Sequence, residues 1–463
     1  MKTKLFTFFL ALVASVGSMF AESGTCGDNL TWDLTDGVLT ISGTGDMTNW
    51  DYDFNVPWYS YHKSITSITI GNGVTSIGAD AFDGCTGLTN VTIPNSVTSI
   101  GNSAFSGCSS LTSIEIPNSV ISIGAYAFSF CKNLTEFIVP NANCNVDENG
   151  VVLVGCTNLI SIKGPAGLFH INDESLNVYG GISRRLQTVE ITGEEMTENA
   201  FLVLNAAYKY LQSIDMSAAT NTKIADEAFK GCYNLETLKL PAGLKEISYM
   251  AVAECIKLKS IDIPASVTEI ADRAFEDCRS IETITFGGVQ PSSAPGRNNA
   301  PAAASQLKKI GNWAFYNAHE LQHLEIPEGV TEIGDGAFYG CTYLEELSLP
   351  ASVRKIGDNC FALCTKLNKI IVNSTTPPEI QTKTFLDVKR QIPVYVPADC
   401  VDAYKSDPLW GEFNIQGQQS PEAIDNVSSS LQGGDRGRLI LHDGQLLILR
   451  GDKVYTVTGQ EVK

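Results

Sequence analysis

Residues 77–85 read Ile77-Gly78-Ala79-Asp80-Ala81-Phe82-Asp83-Gly84-Cys85, and the pattern returns at 100–108 and again at 123–131. Phe82, Phe105 and Phe128 fall in register at a period of 23 residues. So do Cys85, Cys108 and Cys131, then Leu88, Leu111 and Leu134, then Pro94, Pro117 and Pro140. A fixed short period is the signature of a solenoid, in which each unit buries its apolar side only against its neighbours. Such an architecture offers a long surface rather than a pocket, which points to binding before catalysis.

The register returns downstream. Phe229, Val252 and Phe275 form one run of three, with Cys232, Cys255 and Cys278. Phe315, Phe338 and Phe361 form another, with Ala318, Cys341 and Cys364 at the cysteine position. Between the runs the copies are degenerate. Residues 156–162 keep the core pattern, and Ala200-Phe201 followed by 211–216 keeps it with an insertion.

Within a unit, Leu111-Thr112-Ser113-Ile114-Glu115-Ile116 alternates apolar and polar, which predicts a half-buried strand with Ile114 and Ile116 inward and Glu115 outward. Pro117 ends it, because proline cannot donate to a ladder. A second short extended piece leads to Gly124, and Ala127-Phe128 begins a helical turn that drives one aromatic into the core. Successive strands should stack in one parallel sheet at roughly 4.8 Å per coil.

These residues resemble the BspA-like leucine-rich repeat of bacterial surface proteins. The resemblance covers about residues 67–376, where nine copies keep the aromatic-to-Cys-to-Leu spacing or nearly so. It implies a leucine-rich-repeat-like right-handed coil with a parallel β-sheet and short helical turns. The flanks fit as well. Residues 23–32 and Pro57-Trp58-Tyr59 look like the β-rich segment that precedes such repeats. Val394-Tyr395-Val396-Pro397, Ala403-Tyr404-Lys405 and Trp410 look like the segment that closes them. The resemblance implies a secreted or cell-surface interaction protein and names no ligand.

The ends read as processing and sorting segments. Met1-Lys2-Thr3-Lys4 is basic, and the apolar run 5–16 is too short to span a membrane as a helix, so 1–21 reads as a signal peptide cleaved after Ala21. The chain then divides into a β-rich cap (22–66), the repeats (67–376) with a Pro, Gly and Ala-rich insertion at 287–306, a closing cap (377–415), a linker (416–436) and a β tail (437–463). The tail holds three short strands, at 438–442, 445–450 and 453–458. It resembles the carboxy-terminal segments of exported bacterial proteins, which implies a sorting or attachment role. Its Arg450-Gly451-Asp452 spells a tripeptide that integrins read, although glycine and aspartate are ordinary turn residues.

The formal net charge of −19 opposes nucleic acid and anionic lipid as partners and suits a soluble, extended protein. A monomer is expected. The thirteen cysteines are odd in number, and most occupy one repeat position. That position reads as a buried column of small hydrophobes, with disulfides between successive coils as the alternative. Cys144 and Cys156, in a degenerate coil, are the best candidates for one real bridge, while Cys26, Cys360 and Cys400 are left unassigned.

The chain carries no motif of catalytic or metal-binding chemistry. His62, His170, His319, His323 and His442 belong to no metal motif, there is no nucleophile elbow and no phosphate-binding glycine fingerprint. Asp51-Tyr52-Asp53 and Asp147-Glu148-Asn149-Gly150 lack the spacing of a calcium loop. No catalytic residue, metal or cofactor is assigned. Trp50, Tyr52, Trp58, Tyr59 and Tyr61 read as the core of the amino-terminal cap, with sugar stacking as the alternative.

The expected function is non-catalytic binding of a protein or glycan. A structural spacer is the alternative, and an enzyme residing in the caps is a third class. The contact surface is expected on the outward column of the strands: Thr92, Glu115, Ile138, Lys239, Asp262, Thr285, Glu325, Ser348 and Ile371. A neighbouring column holds Asn90, Ser113, Glu136, Thr237, Ser260, Thr283, His323, Glu346 and Lys369.

Overall fold

The structure, a computed structural model, describes residues 22–50, 55–147, 152–169, 182–287 and 304–418, and the backbone of 438–442, 445–450, 453–456 and 461–462. The expected signal peptide, most of the insertion, most of the expected linker, Gly451-Asp452 and the acidic stretches at 51–53 and 148–150 lie outside the described residues.

The chain winds as a β-solenoid. Where one sheet is expected, the backbone bonds form three columns. The first holds the longer strands. Ser67–Ile70 pairs in parallel with Asn90–Thr92, Glu136–Ile138 with Ser161–Gly164, and His323–Glu325 with Glu346–Leu349. The column is interrupted near Glu115, which makes only an isolated bridge to Ile138. The second column holds two-residue strands following the prolines, such as Ser99–Ile100 and Ser122–Ile123.

The third column is the aromatic corner, where the expected helical turn takes the form of successive tight turns. Within one coil the amides of Ala81, Asp83 and Cys85 donate to the carbonyls three residues back. The alternate amides of Asp80, Phe82 and Gly84 donate outward to Asn102, Ala104 and Ser106 of the next coil at 2.9, 2.8 and 2.8 Å. Every amide of the stretch is therefore satisfied, as a buried corner requires. The alternation needs two left-handed residues per coil, Asp80 (φ 56°) and Gly84 (φ 66°) in this one. That is why glycine recurs just before the cysteine, where a side chain would add strain.

The core is a stack of rings. Phe82, Phe105 and Phe128 are fully buried, with centroids 5.2 and 5.3 Å apart. A second stack runs Phe275, Phe315, Phe338, Phe361, Phe385 at 4.9, 5.3, 5.5 and 5.4 Å. These spacings follow the rise of the coils. Both stacks end on tryptophan: Trp58 lies 5.7 Å from Phe82, and Trp410 lies 5.6 Å from Phe385.

The amino-terminal cap is an antiparallel meander of Glu22–Gly27, Leu30–Thr35 and Val38–Gly43, and the last strand pairs in parallel with the first coil. Trp50 and Trp58 are buried there in edge-on contact, and Tyr59 and Tyr61 pack against the same core. The sugar-stacking alternative thus loses its tryptophans. At the other end, Tyr404 of the helix Val401–Ser406 donates its hydroxyl to the Ser374 carbonyl at 2.8 Å. In the degenerate coil a true helix, Glu198–Asn205, replaces the tight turns. It is capped by Thr197, whose hydroxyl accepts from the Ala200 amide. The tail strands 438–442, 445–450, 453–456 and 461–462 form an antiparallel sheet.

All thirteen cysteines are free, so the expected Cys144–Cys156 bridge is not formed. Cys156 belongs to the repeat column instead. There a thiol that follows a regular coil donates to the carbonyl of that coil's aromatic position: Cys108 to Phe82 at 3.3 Å, Cys131 to Phe105 at 3.2 Å, Cys156 to Phe128 at 3.1 Å and Cys278 to Val252 at 3.1 Å. Cysteine thus acts as a small hydrophobe that also carries a weak donor.

Burial pushes the thiols of Cys85, Cys131, Cys232 and Cys364 up to about 12, from a usual value near 9. Below pH 9 both folded and unfolded chains keep these protons. Above it only the unfolded chain releases them, so stability should fall as pH rises toward 12, by about 1.4 kcal/mol per thiol per unit. Melting curves from pH 8 to 10.5 should show the decline, and Cys→Ala variants in the column should flatten it. Ready alkylation of native protein at pH 8 would contradict the buried column.

Candidate binding surface

The long-strand ladder is broken into separate sheets, but within them the strand register extends the outward column beyond what the sequence pattern alone reveals. Ile138 pairs onward to Lys163, Glu190, Asp215 and then Lys239. Glu325 leads to Ser348, Ile371, Tyr395 and Gln416. Lys163, Glu190 and Asp215 sit in the degenerate coils, where irregular spacing hides them. The signal that finds them is local: Ser161-Ile162-Lys163-Gly164 and Thr188-Val189-Glu190-Ile191 alternate inward and outward.

Of the nine predicted contact residues, Thr92, Glu115, Ile138, Lys239, Asp262 and Glu325 are exposed, and Ser348 and Ile371 are half-buried. Thr285 departs from the expectation. It is 6% exposed, and its hydroxyl donates to the Asp262 carboxylate at 2.5 Å. Its side chain is committed to the neighbouring strand, which withdraws it from any contact surface. In the second column Asn90, Ser113, Glu136, Thr237 and Ser260 are exposed, whereas Thr283, His323, Glu346 and Lys369 are half-buried.

The charges divide the face into two parts. In the middle they neutralise one another along the coil axis: Lys163 with Glu190 at 2.8 Å, Lys239 with Asp215 at 2.7 Å. Partial burial opposes ionisation of Asp215, but the bonds from Lys239 and Ser217 outweigh it and hold the carboxyl below its usual range. Farther on, Lys369 pairs with Glu346 at 2.8 Å. Exposed pairs of this kind add little stability. Their consequence is that the middle of the face presents almost no uncompensated charge.

The amino-terminal end differs. Neither Glu115 nor Glu136 has an ionic partner among the described residues, and Ile138, two residues after Glu136 on the same strand and bridged to Glu115, stands 36% exposed. Two unpaired carboxylates beside an exposed aliphatic side chain complement a partner that offers cations around an apolar contact. Among the described residues no group of acidic, histidine and cysteine side chains is placed to hold a metal. No helix among them is long and apolar enough to cross a membrane.

Residues 57–179, 195–292 and 300–400 match the profile of BspA type leucine-rich repeat regions, in six copies. Among solved structures, a leucine-rich repeat protein from Bacteroides ovatus is 20% identical over 85% of this chain and 99% of that one, with a TM-score of 0.33. One from Eubacterium ventriosum is 18% identical over 87% and 96%, with a TM-score of 0.29. A leucine-rich cell surface protein from Faecalibacterium prausnitzii is 23% identical over 76% and 94%, with a TM-score of 0.27. These scores are too low for residue-by-residue comparison. No curated protein matches the chain. With the profile spanning most of the sequence and the coils stacked in its register, the protein belongs to the BspA-type leucine-rich repeat family.

Proposed function

We propose that this is an exported, non-catalytic binding protein whose long-strand face holds a macromolecular partner, with the contact centred on the amino-terminal coils. The observation that carries the reading is the uncompensated end of the column, where Glu115 and Glu136 flank Ile138. Coils farther along satisfy their own charges; coils at this end do not. The complementary partner is a protein surface with lysine or arginine around an apolar side chain. Export is supported by the basic start and apolar run of residues 1–21. The spacer alternative draws on the self-neutralised middle coils, which suit a rigid arm.

The test is charge reversal. Asp262 and Glu325 each have a partner within the protein, so Glu115 and Glu136 are the residues to change. The variant E115K/E136K should lose at least tenfold in affinity for basic extracellular proteins that the intact chain retains, with its circular dichroism unchanged. Such binding should also weaken as salt rises. Undiminished binding by the double variant would remove this end of the face from the contact.

A further inference from the structure

We propose a second site on the short-strand face: a groove across the amino-terminal coils that binds an extended, neutral, β-1,4-linked glycan. The groove encloses about 750 Å³. Its floor is a column of serines, Ser76, Ser99 and Ser122, placed opposite one another by the strand register. Asp46 stands at one end and Asp147 at the other, and Asn102 lies along the side. The Asn102 carbonyl oxygen accepts from the Ala125 amide at 3.0 Å, which leaves its own N–H groups to donate elsewhere.

Comparison within the molecule shows what is unusual here. In the later coils the same column carries charged side chains paired along the axis: Lys223 with Glu246 at 3.1 Å, Glu269 with Lys309 at 3.5 Å and Glu332 with Lys355 at 3.6 Å. Those long side chains cover the face and consume its polarity. In the first coils they are replaced by short hydroxyls, none of which has a hydrogen-bond partner among the described residues. The result is a trench with one unspent hydroxyl per coil.

The lining selects the ligand by exclusion and by spacing. No lysine, arginine or histidine lines it among the described residues, so phosphate, sulfate and uronate chains find no counter-charge. Ile77, Ile100 and Ile123 turn inward and are buried, so an apolar ligand finds no surface. What remains is a polar, uncharged chain that can exchange hydrogen bonds once per coil, at intervals of roughly 4.8 Å. An extended peptide repeats its groups on one face only about every 6.7 Å and falls out of step. An extended 1,4-linked pyranose chain advances by close to one coil per ring, and each ring brings hydroxyls that both donate and accept.

The test uses the full chain with cellohexaose and chitohexaose as probes, measured by calorimetry. Maltohexaose, whose linkage coils the chain, and an extended Ser/Asn peptide serve as comparisons. At least one β-1,4 hexamer should bind, more tightly than maltohexaose or the peptide. The variant S99E/S122K imports the paired charges found downstream and should weaken binding at least tenfold. If it fails to fold, S99Q should weaken binding at least threefold. The E115K/E136K variant, on the other strand column, should bind the hexamer normally, so failure here and failure of the long-strand reading are separate results. The proposal is overturned if neither hexamer binds at millimolar concentration, if the peptide binds as well, or if the groove variants bind undiminished.

Discussion

Replacing Phe105 with Ala should lower stability by about 3–5 kcal/mol, the range for removing a large ring from a rigid core. The ring is fully buried and is held between Phe82 and Phe128 at 5.2 and 5.3 Å. Its surroundings cannot close the gap. The Phe105 amide donates to Ala127 and the Phe82 amide to Ala104, both at 2.8 Å, so the backbone is fixed on either side. An unrelaxed cavity costs more than transfer alone. Because each coil leans only on its neighbours, the damage should also appear as local loss of exchange protection in the first coils. Ile121→Ala, at a position 58% exposed, is the control and should fall within about 0.5 kcal/mol of the parent. An unchanged denaturation midpoint for Phe105→Ala would refute the ring stack.

Trp58→Ala should be comparably severe, at about 3–5 kcal/mol, for a reason beyond its size. In the regular coils the carbonyl three residues past the repeat glycine or its substitute accepts the amide at the aromatic position of the coil before; that of Ala104 accepts from Phe82 at 2.8 Å. Ala81, in the first coil, has no such donor behind it. The indole N–H of Trp58 supplies one, at 2.8 Å. Trp58 therefore mimics the missing coil twice, through its ring on Phe82 and through its N–H. The two roles separate in Trp58→Phe, which keeps a ring but leaves the carbonyl unpaired, at a cost of about 1–3 kcal/mol. Equal stability of Trp58→Phe and the parent would mean that the hydrogen bond does not cap the array.

The residues differ in how plainly the sequence marks them. Phe82, Phe105 and Phe128 declare the coil through register alone, since a 23-residue period of large apolar residues has few solutions. The inward–outward alternation at Glu115 and Asp262 is equally plain. Lys163, Glu190 and Asp215 escaped because irregular loops separate their coils, although each sits in an alternating strand. Thr285 was misplaced because alternation predicts which face a side chain takes and not whether its neighbour claims it; the Asp262 carboxylate does. The cysteine column was legible as buried but not as hydrogen-bonded. That follows from a thiol lying over a carbonyl 26 residues earlier, a relation visible only once the coils are stacked. The serine groove was invisible for the opposite reason. Ser76, Ser99 and Ser122 are ordinary residues, and only the paired charges at the same position downstream make their exposure informative.

The most direct test of the account is an in-register excision. Removing residues 78–123, two full periods, joins Ile77 to Gly124 and keeps both caps. Trp58 should then stack on Phe128, and the shortened chain should melt cooperatively. It lacks Glu115 and most of the amino-terminal coils. Binding of the intact and shortened proteins should be compared on the same arrayed extracellular proteins. The expected result is a folded protein that has lost the interactions of the intact one. A shortened protein that retains them in full would place binding in the caps or the later coils, and would reduce the amino-terminal coils to a spacer.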